Sequence, residues 1–90
     1  MKKLVVLRAG RQVQEVVLDK QITTIGRQKD CDVWLDDTIV SRHHAQLVLT
    51  SEGVPYIEDL DSSNGLLYKG KRTKRVTMSH GEMVHIGAFM

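Results

Sequence analysis

The apolar segments of this chain are short. Most run four to seven residues, are rich in Val, Ile and Thr, and give way to turn residues every eight to twelve positions, the pattern of an all-β sandwich or barrel. Helices have little room in such a chain. Lys3 to Arg8 reads as a first strand, Ala9-Gly10 as a turn, and Val13 to Leu18 as the returning arm of a hairpin. Gln21 to Ile25 and Val33 to Leu35 follow as short strands separated by a polar loop over 28–32. From His44 onward Ala45, Leu47 and Leu49 alternate with Gln46, Val48 and Thr50, so the odd positions are expected to face the core. Val54 to Asp59 is the partner strand, with Pro55 at its beginning, where a missing N–H is tolerated. Leu66 to Tyr68, a Lys69-Gly70 turn, Thr73 to Met78, a turn at Ser79-His80-Gly81 and Met83 to Ile86 bring the expectation to about ten short strands.

Ninety residues, 41% hydrophobic and 27% charged, suit one globular core and exclude collagen-like or disordered readings. The longest unbroken apolar run, Leu4 to Leu7, is far short of the roughly 20 residues that span a bilayer. Met1-Lys2-Lys3 before that run imitates a secretory signal, but Arg8 ends it too early, and the start is read as a strand of the mature protein. Cys31 is the single cysteine and cannot form an internal disulfide, which favours a reducing compartment such as the cytoplasm and a buried apolar role for the thiol. With one Trp, two Tyr and one Phe the core is expected to be mostly aliphatic. The formal charge of +2 is too small to imply a polyanionic partner by itself.

Three loops are dense in small polar and cationic residues: Gly26-Arg27, Ser41-Arg42-His43-His44 and Ser62-Ser63-Asn64-Gly65. Each lies where a strand begins or ends, and loops of a sandwich cluster at its two ends, so residues distant in sequence can meet there. Arg27 and Arg42 offer guanidinium forks, Ser41 and Ser63 hydroxyl donors, and Asn64 an amide that both donates and accepts. Such a donor-rich set with little acid suits a phosphoester, which carries about −1.5 to −2 charge and three acceptor oxygens. Ser, Asn and Gly are equally the residues of ordinary β-turns. Gly26 is expected to use backbone angles closed to other residues. Asn64-Gly65 is a strong turn pair because both tolerate positive φ, and His44 can tie one loop's backbone to another.

In order and spacing, Gly26-Arg27, Ser41-Arg42-His43-His44-Ala45 and Asp59-Leu60-Asp61-Ser62-Ser63-Asn64-Gly65 resemble the forkhead-associated (FHA) domain family. His80 to Gly87 is similar to that family's closing turn and strand, with Glu82 where the family usually has Asp. The resemblance implies an FHA-like β-sandwich of two twisted, mostly antiparallel sheets, whose loops at one end bind phosphothreonine in a partner protein. It implies that Arg27 and Ser41 bind phosphate directly and that Arg42 contacts the phosphate or the adjacent peptide backbone. Ser63 then contributes to phosphate binding and Asn64 holds the peptide main chain, while Gly26, His44 and Gly65 shape the loops. It implies no cofactor and no catalytic residue. Leu66 stands where the family commonly has Thr, which removes a hydroxyl near the site. Ala88 to Met90 is expected to begin a last strand that continues in a longer protein, with residues 1–90 as its N-terminal recognition module.

Other classes fit less well. Ser41 with His43 or His44 and an Asp imitates a nucleophile, base and orienting acid, but no strand-turn-helix elbow frames the serine, and Arg42 beside it suits anion capture better. Cys31, His43, His44, His80 and His85 lack the paired spacing of zinc ligands. Lys69, Lys71, Arg72, Lys74 and Arg75 could neutralise nucleic-acid phosphates, yet only Tyr68 interleaves as an aromatic, and a charged hairpin also serves as a solvated edge. The same run could instead draw acidic partner segments to that end of the sandwich. A phospho-independent interaction module of the same fold is the open alternative; the presence together of Arg27, Ser41, Arg42 and Asn64 argues for the phosphopeptide reading. Neither a nucleic acid nor a membrane is expected as partner.

Overall fold

The computed structural model describes residues 2–90; Met1, the first residue of the signal-like start, lies outside them. Among the described residues there are nine strands: β1 (Lys3–Arg8), β2 (Arg11–Val17), β3 (Ile22–Gly26), β4 (Val33–Trp34), β5 (Ala45–Val48), β6 (Tyr56–Asp59), β7 (Leu66–Tyr68), β8 (Lys71–Thr73) and β9 (Arg75–Thr77). One layer is a five-stranded sheet in the order β4-β3-β5-β6-β9. Its pairs are antiparallel except β3 with β4, which run parallel. The other layer is less regular than the second sheet expected from sequence. It consists of the hairpins β1-β2 and β7-β8, joined through the C-terminal segment by bridges between Leu67 and His85, Ile86 and Phe89, and Phe89 and Arg8. Met83 to Ile86 therefore contributes bridges rather than a regular strand. Beyond it, Leu7 and Met90 exchange both backbone hydrogen bonds (2.8 and 2.9 Å), which lays the end of the described chain beside β1.

Local chemistry explains the turns. Ala9 and Gly10 have φ of 52° and 77°, and Lys69 and Gly70 have 52° and 79°, so both two-residue hairpin turns carry positive φ at their two central positions, matching the right-handed twist of the flanking strands. The predicted Thr73 to Met78 strand is divided at Lys74. Residues up to Thr73 pair with β7, whereas Arg75 to Thr77 pair with β6 in the opposite layer, and the Lys74 carbonyl accepts the Asp59 N–H at 2.8 Å on the way across.

The core between the layers is aliphatic apart from Phe89, and includes Ile25, Val33, Leu35, Leu47, Ile57, Leu66 and Val84. Ala45 and Leu47 are buried as their alternation predicts, while Leu49 packs partly buried at its margin. Full burial of a leucine such as Leu47 contributes about 1.5–3 kcal/mol. Leu66, the departure from the usual family residue, is fully buried, so its side chain serves the core and is not turned to the surface. An apolar cleft of about 890 Å³ opens between the layers, lined by Leu4, Val6, Ile57, Met78 and Val84 among others. Among the described residues no helix is long and apolar enough to cross a membrane.

Candidate functional site

The three polar loops meet at one end of the sandwich because the chain leaves β3 after Gly26, enters β5 at Ala45 and leaves β6 after Asp59, and Ile25, Ala45 and Asp59 are register partners there. Gly26 closes β3 and Arg27 leaves it, its N–H donating to the Ser41 carbonyl at 3.0 Å. Next to it the Gln28 N–H reaches the Arg42 carbonyl at 3.3 Å. Gly26 is required for a reason other than the one expected: it does not have positive φ, but a Cβ on it would stand 2.0 Å from the Arg42 carbonyl oxygen. The glycine permits close backbone approach between two loops. Cys31 lies beneath the same contact, its thiol donating to the Arg42 carbonyl (3.4 Å). Burial, reinforced by Asp30, pushes that thiol's pKa up, which keeps it protonated and poorly nucleophilic near neutral pH.

His44 is fully buried. Its Nδ1 accepts the Ser41 N–H at 3.1 Å, so the ring proton sits on Nε2 and is donated to the Gly65 carbonyl at 2.8 Å. One imidazole thus ties the second loop to the third. The third loop closes on itself: the Asp59 carboxylate accepts the N–H and hydroxyl of Ser62, and the Ser62 Oγ accepts the Gly65 N–H at 2.8 Å. Gly65 has φ of 74°, whereas Asn64 does not share positive φ. Asn64 is held instead by its Nδ2, which donates to the Ile39 carbonyl at 2.7 Å.

Arg27, Ser41, Arg42, Ser63 and Asn64 line one hollow of about 340 Å³, together with Thr38, Ile39 and Val40. The backbones of Arg27, Ser41, Arg42 and Ser63 are pinned by internal hydrogen bonds, while Arg27, Arg42, Ser63 and Asn64 are exposed. Ser41 Oγ accepts the Ser63 N–H at 3.1 Å, which leaves the Ser41 hydroxyl proton to donate elsewhere. Among the described residues neither the Arg27 nor the Arg42 guanidinium is ion-paired. Two exposed guanidinium forks, two serine hydroxyls and an amide around one hollow can bind a tetrahedral oxyanion. No group of three or more His, Cys, Asp or Glu side chains able to hold a metal converges among the described residues.

Several contributors have no role at the site assigned from sequence, although Asp59, Ser62 and Arg72 stand in segments that the sequence marks. Trp34 Nε1 donates to the Arg27 carbonyl at 2.8 Å, and Arg72 Nη2 donates to the Ser62 carbonyl at 3.1 Å. Neither contact leaves a local signal, because each joins a strand residue to a loop that only the fold brings beside it. Asp59 and Ser62 did carry one: an Asp three residues before a Ser, itself three before a Gly, is the spacing of a self-capped polar turn.

A family model described as FHA domain matches residues 23–87. The glycogen accumulation regulator GarA of Mycobacterium tuberculosis (strain H37Rv) is 35% identical over 86 residues, which cover 96% of this chain and 52% of that protein. The chain therefore spans about half the length of this curated relative. Among solved structures, Mycobacterium tuberculosis EmbR in complex with a low-affinity phosphopeptide superposes with a TM-score of 0.81 at 35% identity, over 97% of this chain and 22% of that one. The FHA domain of the CT664 protein from Chlamydia trachomatis gives 0.84 at 30% identity, over 97% of this chain and 89% of that one.

Proposed function

The chain belongs to the forkhead-associated family, and from that premise we propose that it is a non-catalytic adaptor module that binds phosphothreonine segments of partner proteins in the hollow between its three polar loops. One observation carries the assignment of the site: side-chain donors without carboxylate partners converge on that hollow while their backbones are held by internal hydrogen bonds. Arg27 and Ser41 take the phosphate oxygens, Arg42 and Ser63 complete the set, and the Asn64 Oδ1 accepts a peptide N–H while its Nδ2 stays on Ile39. Gly26, His44 and Gly65 hold the loops in place. Preorganised donors lose little entropy on binding, and each charge-assisted hydrogen bond contributes about 1.5–3 kcal/mol. Micromolar affinity corresponds to about 8 kcal/mol, so three such bonds at the strong end of that range, or a larger number of weaker ones, supply it.

Ile39 and Val40 provide the apolar wall of the hollow, a place for the threonine γ-methyl. Burying one methyl contributes about 0.8 kcal/mol, so phosphoserine is expected to bind about fourfold more weakly. The reduced Cys31 thiol suits the cytoplasm, where Ser/Thr kinases and their substrates meet.

The test is a calorimetric titration with a phosphothreonine peptide pool, its unphosphorylated twin and its phosphoserine twin, on the wild type and on a folded Arg27→Ala variant. Micromolar binding of the phosphothreonine pool alone, lost in the variant, is expected. Equal binding of all pools, unchanged by Arg27→Ala, would establish phospho-independent recognition instead.

A further inference from the structure

The β1-β2 hairpin turns one face to the core and the other to solvent. Val6 and Leu18 are buried, and Leu4 and Val16 pack against the core, so alternation sends Lys3, Val5, Glu15 and Val17 outward. Register sets Lys3 opposite Val17 and Val5 opposite Glu15. The Leu18 N–H donates to the Lys2 carbonyl at 2.9 Å, which makes those two the non-hydrogen-bonded pairs, whose side chains stand closest. The four residues form the corners of a square. Lys3 and Glu15 meet across one diagonal at 3.0 Å. Val5 and Val17 hold the other diagonal and are 44% and 40% exposed. Beside them Val13, which the bulge leaves without a register partner, is exposed as well.

An exposed ion pair contributes little by itself, and valines exposed on a sheet face have apolar area still to bury. The symmetry of the square decides what fits it. A two-fold axis along the Val5–Val17 diagonal sets each valine against the same valine of a second copy, and sets Lys3 of each copy against Glu15 of the other. An axis along or across the strands would press a charge onto a valine. The remaining diagonal would set Lys3 on Lys3 and Glu15 on Glu15. Strands lie about 4.8 Å apart and two residues advance about 6.8 Å, so the Val5–Val17 diagonal is inclined about 35° to the strands. The strands of the two copies then cross at about 70°, close to orthogonal sheet packing. Such self-complementarity is what an isologous contact requires.

We propose that the outer face of the β1-β2 hairpin is a self-association surface, on which two copies pack valine on valine and share Lys3 and Glu15 in a ring of alternating charges. A handful of residues a side falls below the roughly 20–30 of a stable interface, so a dissociation constant of about 0.1–1 mM is expected. None of the residues lining the hollow belongs to the hairpin, so both copies keep their hollows open. The dimer presents two sites at once, and effective concentration raises its affinity for a partner carrying two phosphothreonines. Only this consequence rests on the phosphothreonine reading; the dimer does not.

The experiment is sedimentation equilibrium of the chain at concentrations from about 10 µM to 1 mM and about 0.15 M salt. Wild type, Val17→Gln, Lys3→Glu, Glu15→Lys and an equimolar mixture of the last two are measured, with thermal melts confirming that each variant is folded. Wild type is expected to dimerise in the upper part of the range, and Val17→Gln to weaken association about tenfold, since each copy loses the same contact. Lys3→Glu leaves only acids on the square and Glu15→Lys only lysines, so each alone is expected to stay monomeric while their mixture forms heterodimers. A role confined to pairing Lys3 with Glu15 inside one chain gives no such rescue, because mixing restores no pair within either chain. A wild type that stays monomeric at about 1 mM overturns the proposal. So does a dimer that Val17→Gln leaves unchanged, or a mixture no more associated than its two components.

Discussion

Two polar regions of this molecule use the same residue types to opposite ends. On the face of the five-stranded sheet, Gln46, Glu58 and Arg75 stand side by side across β5, β6 and β9. The amide donates to the Glu58 carboxylate at 2.6 Å, and the guanidinium donates to it at 2.9 Å. Arg75 also lies 4.4 Å over the Tyr56 ring. Every charge there is answered by a neighbouring strand. At the loop end the hydrogen bonds run between backbones and to His44, Ser41 and Asn64, while among the described residues Arg27 and Arg42 have no carboxylate partner. A surface that satisfies its own cations has little to offer a ligand; one that pins backbones and leaves cations unanswered is prepared for an anion.

That contrast can be broken from the scaffold side first. Gly26→Ala forces a methyl into the Arg42 carbonyl, and a clash against backbone is expected to cost about 2–3 kcal/mol, lowering the melting temperature by roughly 10–20 °C and abolishing phosphopeptide binding. Differential scanning fluorimetry beside calorimetry reads both. Arg27→Ala is expected to separate the two properties: affinity falls about 10- to 100-fold, while the melting temperature stays within about 2 °C because the guanidinium holds nothing internal together. A parallel drop in stability would show that Arg27 belongs to the scaffold.

Acid sharpens the comparison further. Below about pH 6 the phosphate dianion takes up a proton and becomes a monoanion, so affinity at the loop end weakens through that range while the fold persists. Glu58 responds lower. Gln46's amide first, then Arg75's guanidinium, hold its carboxyl below the ordinary 4.5. Its contribution to stability is fully present above that ordinary value and is lost as pH falls through the lower folded value. Melting curves from pH 7 to 3 should therefore show binding lost before this sheet-face contribution, and Glu58→Gln should lower the melting temperature slightly without altering affinity. The smallest effect is at Ala9, whose φ of 52° suits Asn better. Ala9→Asn is expected to stabilise by about 1 kcal/mol in chemical denaturation and to leave binding untouched.

Legibility in the sequence followed the range of the interactions. The alternation of Ala45 and Leu47 and the hairpin turns at Ala9-Gly10 and Lys69-Gly70 are decided within a few residues, and they stand where the pattern placed them. The division of the predicted Thr73 to Met78 strand at Lys74 was not visible, because it depends on Arg75 leaving β7's layer to pair with Glu58. The apolar residues of Met83 to Ile86 predict a strand, yet the segment meets its neighbours only at single bridges. Gly26 is legible as a glycine of the recognition loops, but the demand for it comes from Arg42, sixteen residues away, and not from its own torsions.

The residue types at the loop end, their order along the chain and the alternation that buries the strands are properties of the sequence alone, since propensity and periodicity act locally. Which cations remain available is not such a property. Arg27, Arg42, Arg72, Lys74 and Arg75 are chemically alike in the sequence, and pairing requires a carboxylate within about 4 Å. Only strand register and loop packing place Glu58 beside Arg75 and Asp61 beside Lys74, and leave the arginines around the hollow unpaired.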